Sequence, residues 1–424
     1  MAPLAPLRVQ DIDLTDFELF VQGKAHDAWR LLRAEAPVHW NAGTALFPGF
    51  WSVTTYADVI AVSRDTTTYS SQRGISMMVD PDHPTPASGA GKMLITMDPP
   101  HHVRLRRLVN KGFTPRMVAH LEPRVREITH RIMDEVAPRG ACDFVTDIAV
   151  QLPLGVICAL MGVPPEDWEL MFTLTNRVLG ADDPEYQTVA GDAQETANQA
   201  LREMFGYCGR LVTARRAAPR DDLISVLTGA ALEGEALTEE EILYFCYLLI
   251  VAGNETTRNA ISGGMLALCE HPAERARLAA DAALLPTAIE EIFRWTSPVL
   301  HMARYVTRDT VLHGQPIRAG ERVLLWYPSA NRDAAVFPDA DRFDVGRTPN
   351  EHLAFGLGEH FCLGAGLARQ EGRVMVETLL ARLPDLALAG PVERLRSGFI
   401  GGIKHMPVRF TARAPQAERA YAPG

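Results

Sequence analysis

The stretch Phe355-Gly-Leu-Gly-Glu-His-Phe-Cys-Leu-Gly364, running on into Ala365-Gly-Leu-Ala-Arg-Gln-Glu-Gly-Arg-Val374, places one cysteine among three glycines at the start of a helical pattern. Glycines there let the backbone turn tightly and come close to a flat ligand. Amide donors and the positive end of the helix dipole favour thiolate over thiol, the form that ligates metal. Two other readings compete. A lone cysteine is more often a small buried hydrophobe, and a glycine-rich turn before a helix can cradle a phosphate. The dinucleotide fingerprint G-x-G-x-x-G begins at Gly356 and Gly358, but its third glycine falls at Phe361, and no P-loop lysine follows. Spacing therefore disfavours the phosphate cradle.

Upstream, Thr238 and Glu241 form a capping box that opens a helical pattern running to His271-Pro272. About 32 residues at 1.5 Å each would cross a whole domain. Its apolar run, Leu243 to Ala252, breaks into Gly253, Asn254, Glu255, Thr256 and Thr257. One reading has Thr256 bonding back to the carbonyl of residue 252 while Glu255 faces solvent; the other gives the polar cluster a function. Helices are also expected over 24–35, 56–63 and 101–111 and through most of 116–269. Strands are expected near Phe50–Thr54 and within Arg304–Leu325. Between Gly74 and Pro100, five prolines and three glycines mark a long loop. The expected fold class is mainly α with a minor β region, built as one unit over residues 1–424, since no repeat or Gly/Ser linker divides the chain.

Composition narrows the function. Of 424 residues, 47% are hydrophobic and 22% charged, which suits a globular core. The 42 lysines and arginines against 52 acidic residues leave −10, a balance that disfavours nucleic acid as a partner. Six sparse cysteines fit a reducing compartment rather than a disulfide scaffold. The start, MAPLAPLRVQDIDLTDF, has no secretory pattern, and no apolar run is long enough for a bilayer, so a cytoplasmic location without a membrane anchor is expected.

The cysteine stretch matches F-G-x-G-x-H-x-C-x-G and so resembles the haem-ligand signature of the cytochrome P450 monooxygenases. Further matches follow in that family's order: D-P-P-x-H-x-x-x-R at Asp98–Arg106, A-G-x-E-T-T at Ala252–Thr257, E-x-x-R at Glu291–Arg294, and N-R-D with F-P-D-A-D-R-F-D-V-G-R ending at Arg347. The resemblance implies haem b, sandwiched between the long helix and the cysteine loop, with Cys362 as axial ligand of the iron. Phe355, Gly356, Gly358 and Gly364 would shape that loop. His102, Arg106, Arg304 and His360 would meet the two propionates, whose charges need partners inside a protein. Ala252 and Gly253 would leave room beside the iron, and Glu255 with Thr256 would relay protons there. Glu291, Arg294 and Arg347 would form a buried structural network beneath the haem.

The implied activity is insertion of one oxygen atom from O2 into an apolar substrate, a lipid-like, sterol or terpenoid molecule. The strings G-N-E-T-T-R-N and S-G-F-I-G-G-I-K-H-M-P-V are similar to those of bacterial members acting on such substrates. Met77, Met78, Met93, Ile250, Val251, Val299, Leu300 and Phe399 are the expected substrate-pocket residues. With no flavin or iron–sulfur segment in the chain, electrons from NAD(P)H would arrive through a ferredoxin or flavodoxin and its reductase. An acidic ferredoxin would dock on the cysteine side at Arg104, Arg107, Lys111 and Arg369, and the protein is expected to act as a monomer. A peroxide-driven peroxygenase and a non-catalytic haem sensor are the alternatives; the Glu255–Thr256 pair disfavours both.

Overall fold

The computed structural model describes residues 7–44, 48–80, 82–232 and 235–413, with backbone alone at Lys111, Ala231, Leu232 and Glu235. The long helix spans Glu239–Glu270, close to its expected bounds. Thr238 Oγ1 accepts from the Glu241 amide at 3.2 Å, and the Glu241 carboxylate accepts from the Thr238 amide at 2.8 Å. Those two bonds satisfy donors that the first helical turn leaves unpaired. Around this rod pack the helices Gln151–Met161, Trp168–Leu179, Leu285–Thr296 and Ala365–Arg382. Twenty-one of its 32 residues are buried, so it is apolar on most sides and needs neighbours all round.

Beside the helices lies a five-stranded sheet, ordered Val38–Asn41, Phe50–Val53, Arg322–Trp326, His301–Val306 and Tyr69–Ser70. One pair is parallel, with Val323 opposite Trp51; the other pairs are antiparallel. The segment Gly74–Pro100 is a loop, as its prolines and glycines require, carrying two short 3-10 turns at Pro86–Ser88 and Leu94–Thr96. Among the described residues no helix is long and apolar enough to cross a membrane.

Two consequences of this packing position the site. The start of the helix Ala365–Arg382 faces the middle of the long helix across a gap. The strand His301–Val306, alternating by two, sends Met302 and Arg304 towards the same gap.

Candidate active site between the long helix and the cysteine loop

The gap is a cavity of about 1480 Å³ of empty space, the solvent at its mouth included. Cys362 borders it on one side; Ala252, Gly253 and Thr256 border it on the other. The cysteine loop is held from within: the Cys362 amide donates to the Phe355 carbonyl at 2.9 Å, and Gly356 and Gly358 take positive φ of 64° and 70°. Side chains other than glycine adopt such angles at a cost. A Cβ added at Gly364 would meet nothing within 4 Å, so the backbone there is open to the cavity. Gly358 itself is not on the wall. It serves the turn, and its α-carbon lies against Ser63, whose carbonyl a Cβ would approach to 3.2 Å. Burial pushes the Cys362 thiol up, opposed by the Gly364 amide and the cations of Arg106 and Arg369.

His102, Arg106, Arg304 and His360 meet at one rim of the cavity, the two histidine rings 4.4 Å apart. Both nitrogens of His102 are buried without a partner. Arg304, 4% exposed, donates to the Ala303 carbonyl at 2.8 Å, and burial lowers its pKa against the pull of Tyr327 and Asp98. Burial and the neighbouring cations hold His102 below its ordinary range and push His360 down to about 2. Two guanidinium groups and two neutral imidazoles at one rim suit an anionic ligand. Arg106 is partly committed already, to Asn110 at 2.9 Å and to the Phe361 carbonyl at 2.8 Å.

These residues fit haem. A single thiol can supply one axial bond, the walls between Leu249, Val299 and Phe355 are apolar, and the rim offers donors for two carboxylates. Among the described residues there is no group of three or more His, Cys, Asp or Glu placed to hold a metal ion.

A sequence model of the family described as Cytochrome P450 matches residues 167–384. The chain belongs to the cytochrome P450 family. Its similarity extends well beyond that segment. A "Putative cytochrome P450 126" of Mycobacterium tuberculosis is 44% identical over 409 residues, covering 94% of this chain and 97% of the relative. A steroid C26-monooxygenase of Mycolicibacterium smegmatis is 40% identical, covering 96% and 97%. A methyl-branched lipid omega-hydroxylase of Mycobacterium bovis is 41% identical, covering 96% of each. Among solved structures, Mycobacterium marinum cytochrome P450 CYP268A2 in complex with pseudoionone superposes with a TM-score of 0.89 at 35% identity, over 96% of this chain and 100% of that one. This P450 is therefore an oxidoreductase, a monooxygenase with haem iron as its cofactor, that works with redox partners and an apolar substrate.

Within the P450 the distal pair is divided. The Thr256 hydroxyl donates to the Ala252 carbonyl at 2.7 Å, the back-bond expected of a mid-helix threonine, and also lines the cavity. Glu255 neither faces solvent nor lines the cavity: it is 1% exposed, and its Oε2 pairs with Arg258, whose other arm reaches Asn176 at 3.0 Å. Its Oε1 has no partner, and burial raises its pKa against the pull of Arg258. Gly253 borders the cavity, but its missing side chain serves packing, since a Cβ would sit 3.2 Å from Ile157.

The expected network is present in the geometry. Glu291 accepts from Arg294 at 2.7 and 2.8 Å and from Arg347 at 3.1 Å, with Glu291 and Arg294 both fully buried.

The substrate-pocket expectation needs correction. Of its eight residues only Val299 lines the cavity. Met77 and Leu300 are buried in a separate cluster with Trp29 and Trp326, and Met78 packs against it. Met93, Ile250 and Val251 lie in the main helical core, and the Phe399 ring meets His301 at 5.4 Å. The wall comes instead from Phe245, Leu248, Leu249, Leu94, Ile95 and Met302. Residues 245, 248/249, 252/253 and 256 follow the helical repeat of one face, whereas 250 and 251 point elsewhere. Glu371 was also missed. It is a cavity residue, buried, with Oε2 unpartnered and its pKa pushed up to about 8 by burial. The spacing Gly364, Leu367, Ala368, Glu371 carries it to the wall at i, i+3, i+4 and i+7.

Of the expected docking cations, Arg104 is bound to Glu241, and Arg369 forks onto Glu290 at 2.6 and 2.8 Å beneath the Phe355 ring. Both charges are largely spent within the protein. Arg107 is exposed, and the Lys111 side chain lies outside the described residues.

Proposed function

We propose that this P450 hydroxylates a lipid-like molecule of the sterol, branched-lipid or terpenoid class, with electrons drawn from NAD(P)H through a ferredoxin or flavodoxin and its reductase. The observation that carries the substrate class is the apolar wall of Leu94, Ile95, Phe245, Leu248, Leu249 and Val299, with few polar groups to orient a hydrophilic substrate. The names of the steroid and branched-lipid relatives support the same class. The chain is read as one catalytic unit that acts as a monomer.

Haem, when bound, supplies the oxygen-activating chemistry. The protein's part is positional and protonic. Cys362 would ligate the haem iron, and His102, Arg106, Arg304 and His360 would hold its propionates. The apolar wall excludes water and aligns the substrate. Thr256, its hydroxyl anchored on the Ala252 carbonyl, would hold a water in the cavity. Glu255 delivers protons to it by leaving Arg258 or through an intervening water.

The test is a screen of sterols, branched fatty acids, terpenes and macrolides for conversion of the ferric protein to high spin, followed by product analysis. Macrolides shifting the spin state while lipids do not would overturn the substrate class. With the best substrate, Thr256→Ala should keep binding but divert most electrons to peroxide; unchanged coupling of electron use to product would remove Thr256 from the relay.

Electron delivery is assigned to the cysteine side, where Phe361 is 42% exposed and Arg107 stands on the adjoining helix His101–Val109. An apolar centre with a cation beside it suits an acidic partner. Arg107→Glu should slow reduction several-fold at low salt and flatten its salt dependence, measured by stopped-flow reduction.

A further inference from the structure

A second cavity follows the first along the long helix. Ala252 and Thr256 border the haem cavity; Asn259, Gly263 and Glu270 border the second, which has about 990 Å³ of empty space, the solvent at its mouth included. At 100° per residue these positions fall on one face of the helix. No residue assigned above to haem, to the Glu291 network or to the distal pair lines it.

Three polar groups on its wall are buried and unpartnered: Trp29 Nε1, His26 Nδ1 and Arg332 Nε. Trp29 is 1% exposed and is fixed by ring contacts with His26 at 5.2 Å and Trp326 at 5.4 Å, so its N–H cannot swing out to bulk water. The Arg332 guanidinium lies 3.9 Å over the Trp295 ring and reaches Asp341 only at 3.5 Å. Indole and guanidinium N–H groups can only donate. Left without an acceptor, each costs free energy that folding must absorb. The sign of the cavity is positive as well, for Arg332 and Arg394 border it against the single carboxylate of Glu270. Burial and the cations of Arg332, Arg33, Arg394 and Arg30 hold His26 well below its ordinary range, which leaves it neutral. The wall is completed by apolar side chains, Phe20, Leu266 and Leu395 among them.

We infer that this cavity binds a small amphipathic carboxylate, whose oxygens accept from Trp29 Nε1 and Arg332 Nε while its alkyl part lies against Phe20 and Leu266. A carboxylate brings two acceptor oxygens and a negative charge to these donors and to the cations of Arg332 and Arg394, where an alcohol brings one neutral acceptor, and the apolar wall favours an organic anion over an inorganic one.

The experiment is titration calorimetry on the ferric holoenzyme, with a bulky azole saturating the haem cavity so that only the second site can respond. Octanoate is the probe and 1-octanol its neutral counterpart. Octanoate should bind saturably, octanol at least tenfold more weakly. Trp29→Phe, which keeps the ring and deletes the donor, should weaken octanoate roughly tenfold with the haem spectrum unchanged. Should that variant lose haem, Arg394→Gln gives the same reading through charge, with a several-fold loss expected. Absence of saturable octanoate binding, equal binding of octanol, or an affinity untouched by both substitutions overturns the inference and leaves ordered water as the acceptor.

Discussion

Replacing Cys362 by serine should abolish oxygenation while leaving a folded, haem-containing protein. The substitution changes one atom in a loop whose form rests on the Cys362 amide bond to the Phe355 carbonyl and on the positive φ of Gly356 and Gly358, none of which involves the sulfur. The rim of His102, Arg106, Arg304 and His360 is also untouched, so the propionates keep their partners. What is lost is the electron donation that a thiolate makes to iron and a neutral hydroxyl does not. Turnover should fall at least about a thousandfold, roughly 4 kcal/mol of barrier. The carbon-monoxide difference spectrum of the reduced protein should lose its thiolate signature. No other cysteine can substitute: Cys142, Cys158, Cys208, Cys246 and Cys269 are absent from the cavity wall, and burial pushes Cys142 up to about 12. A retained thiolate spectrum in Cys362→Ser would refute the assignment of the ligand.

Local signals carried most of the architecture. The capping box at Thr238 and the proline after His271 bounded the long helix, because helix ends are decided by groups within a turn of them. The prolines and glycines of 74–100 marked a loop for equally local reasons. Motif spacing also named the rim residues that the fold brings together from far apart in the chain, His102 and Arg106 against Arg304 and His360. The substrate wall was not legible in the same way, since it depends on which face each helix turns inward. Ile250 and Val251 are as apolar as Leu248 and Leu249, and only the packing of the long helix against its neighbours separates them. Charge was equally ambiguous: Arg104 and Arg107 read alike in sequence, but the fold sets Glu241 beside the first and leaves the second exposed. Glu371 is one of two acids on the helix Ala365–Arg382, and its burial is a property of the cavity rather than of its neighbours in the chain.

Glu291→Ala should cost the protein its haem through the fold rather than through the site. The carboxylate of Glu291 accepts from Arg294, from Arg347, from Asn350 Nδ2 at 3.1 Å and from the Asp344 amide at 2.9 Å. The two guanidinium groups spend their remaining donors on backbone: Arg294 on the carbonyls of Asn331 and Ala340 at 2.8 Å, Arg347 on those of Pro338 at 2.6 Å and Arg342 at 2.8 Å. Asn331 in turn accepts from the Leu353 amide at 2.6 Å, two residues before the cysteine loop begins. One carboxylate thus fixes the path of the segment 331–353 that delivers Phe355 and Cys362 to the cavity. Its removal leaves two buried cations unpaired, a loss of about 3–5 kcal/mol against a total stability of roughly 5–15 kcal/mol. Purified Glu291→Ala should carry well under half the wild-type haem per protein and should unfold at clearly lower denaturant. The exposed pair Arg30–Asp27 provides the control, since Asp27→Ala should change stability by less than about 1 kcal/mol. Double removal separates the causes: if unpaired charge is the fault, Glu291→Ala with Arg294→Met should recover part of the loss, because one of the stranded cations is gone. Wild-type haem content and stability in Glu291→Ala would mean that the segment is held by its backbone bonds alone.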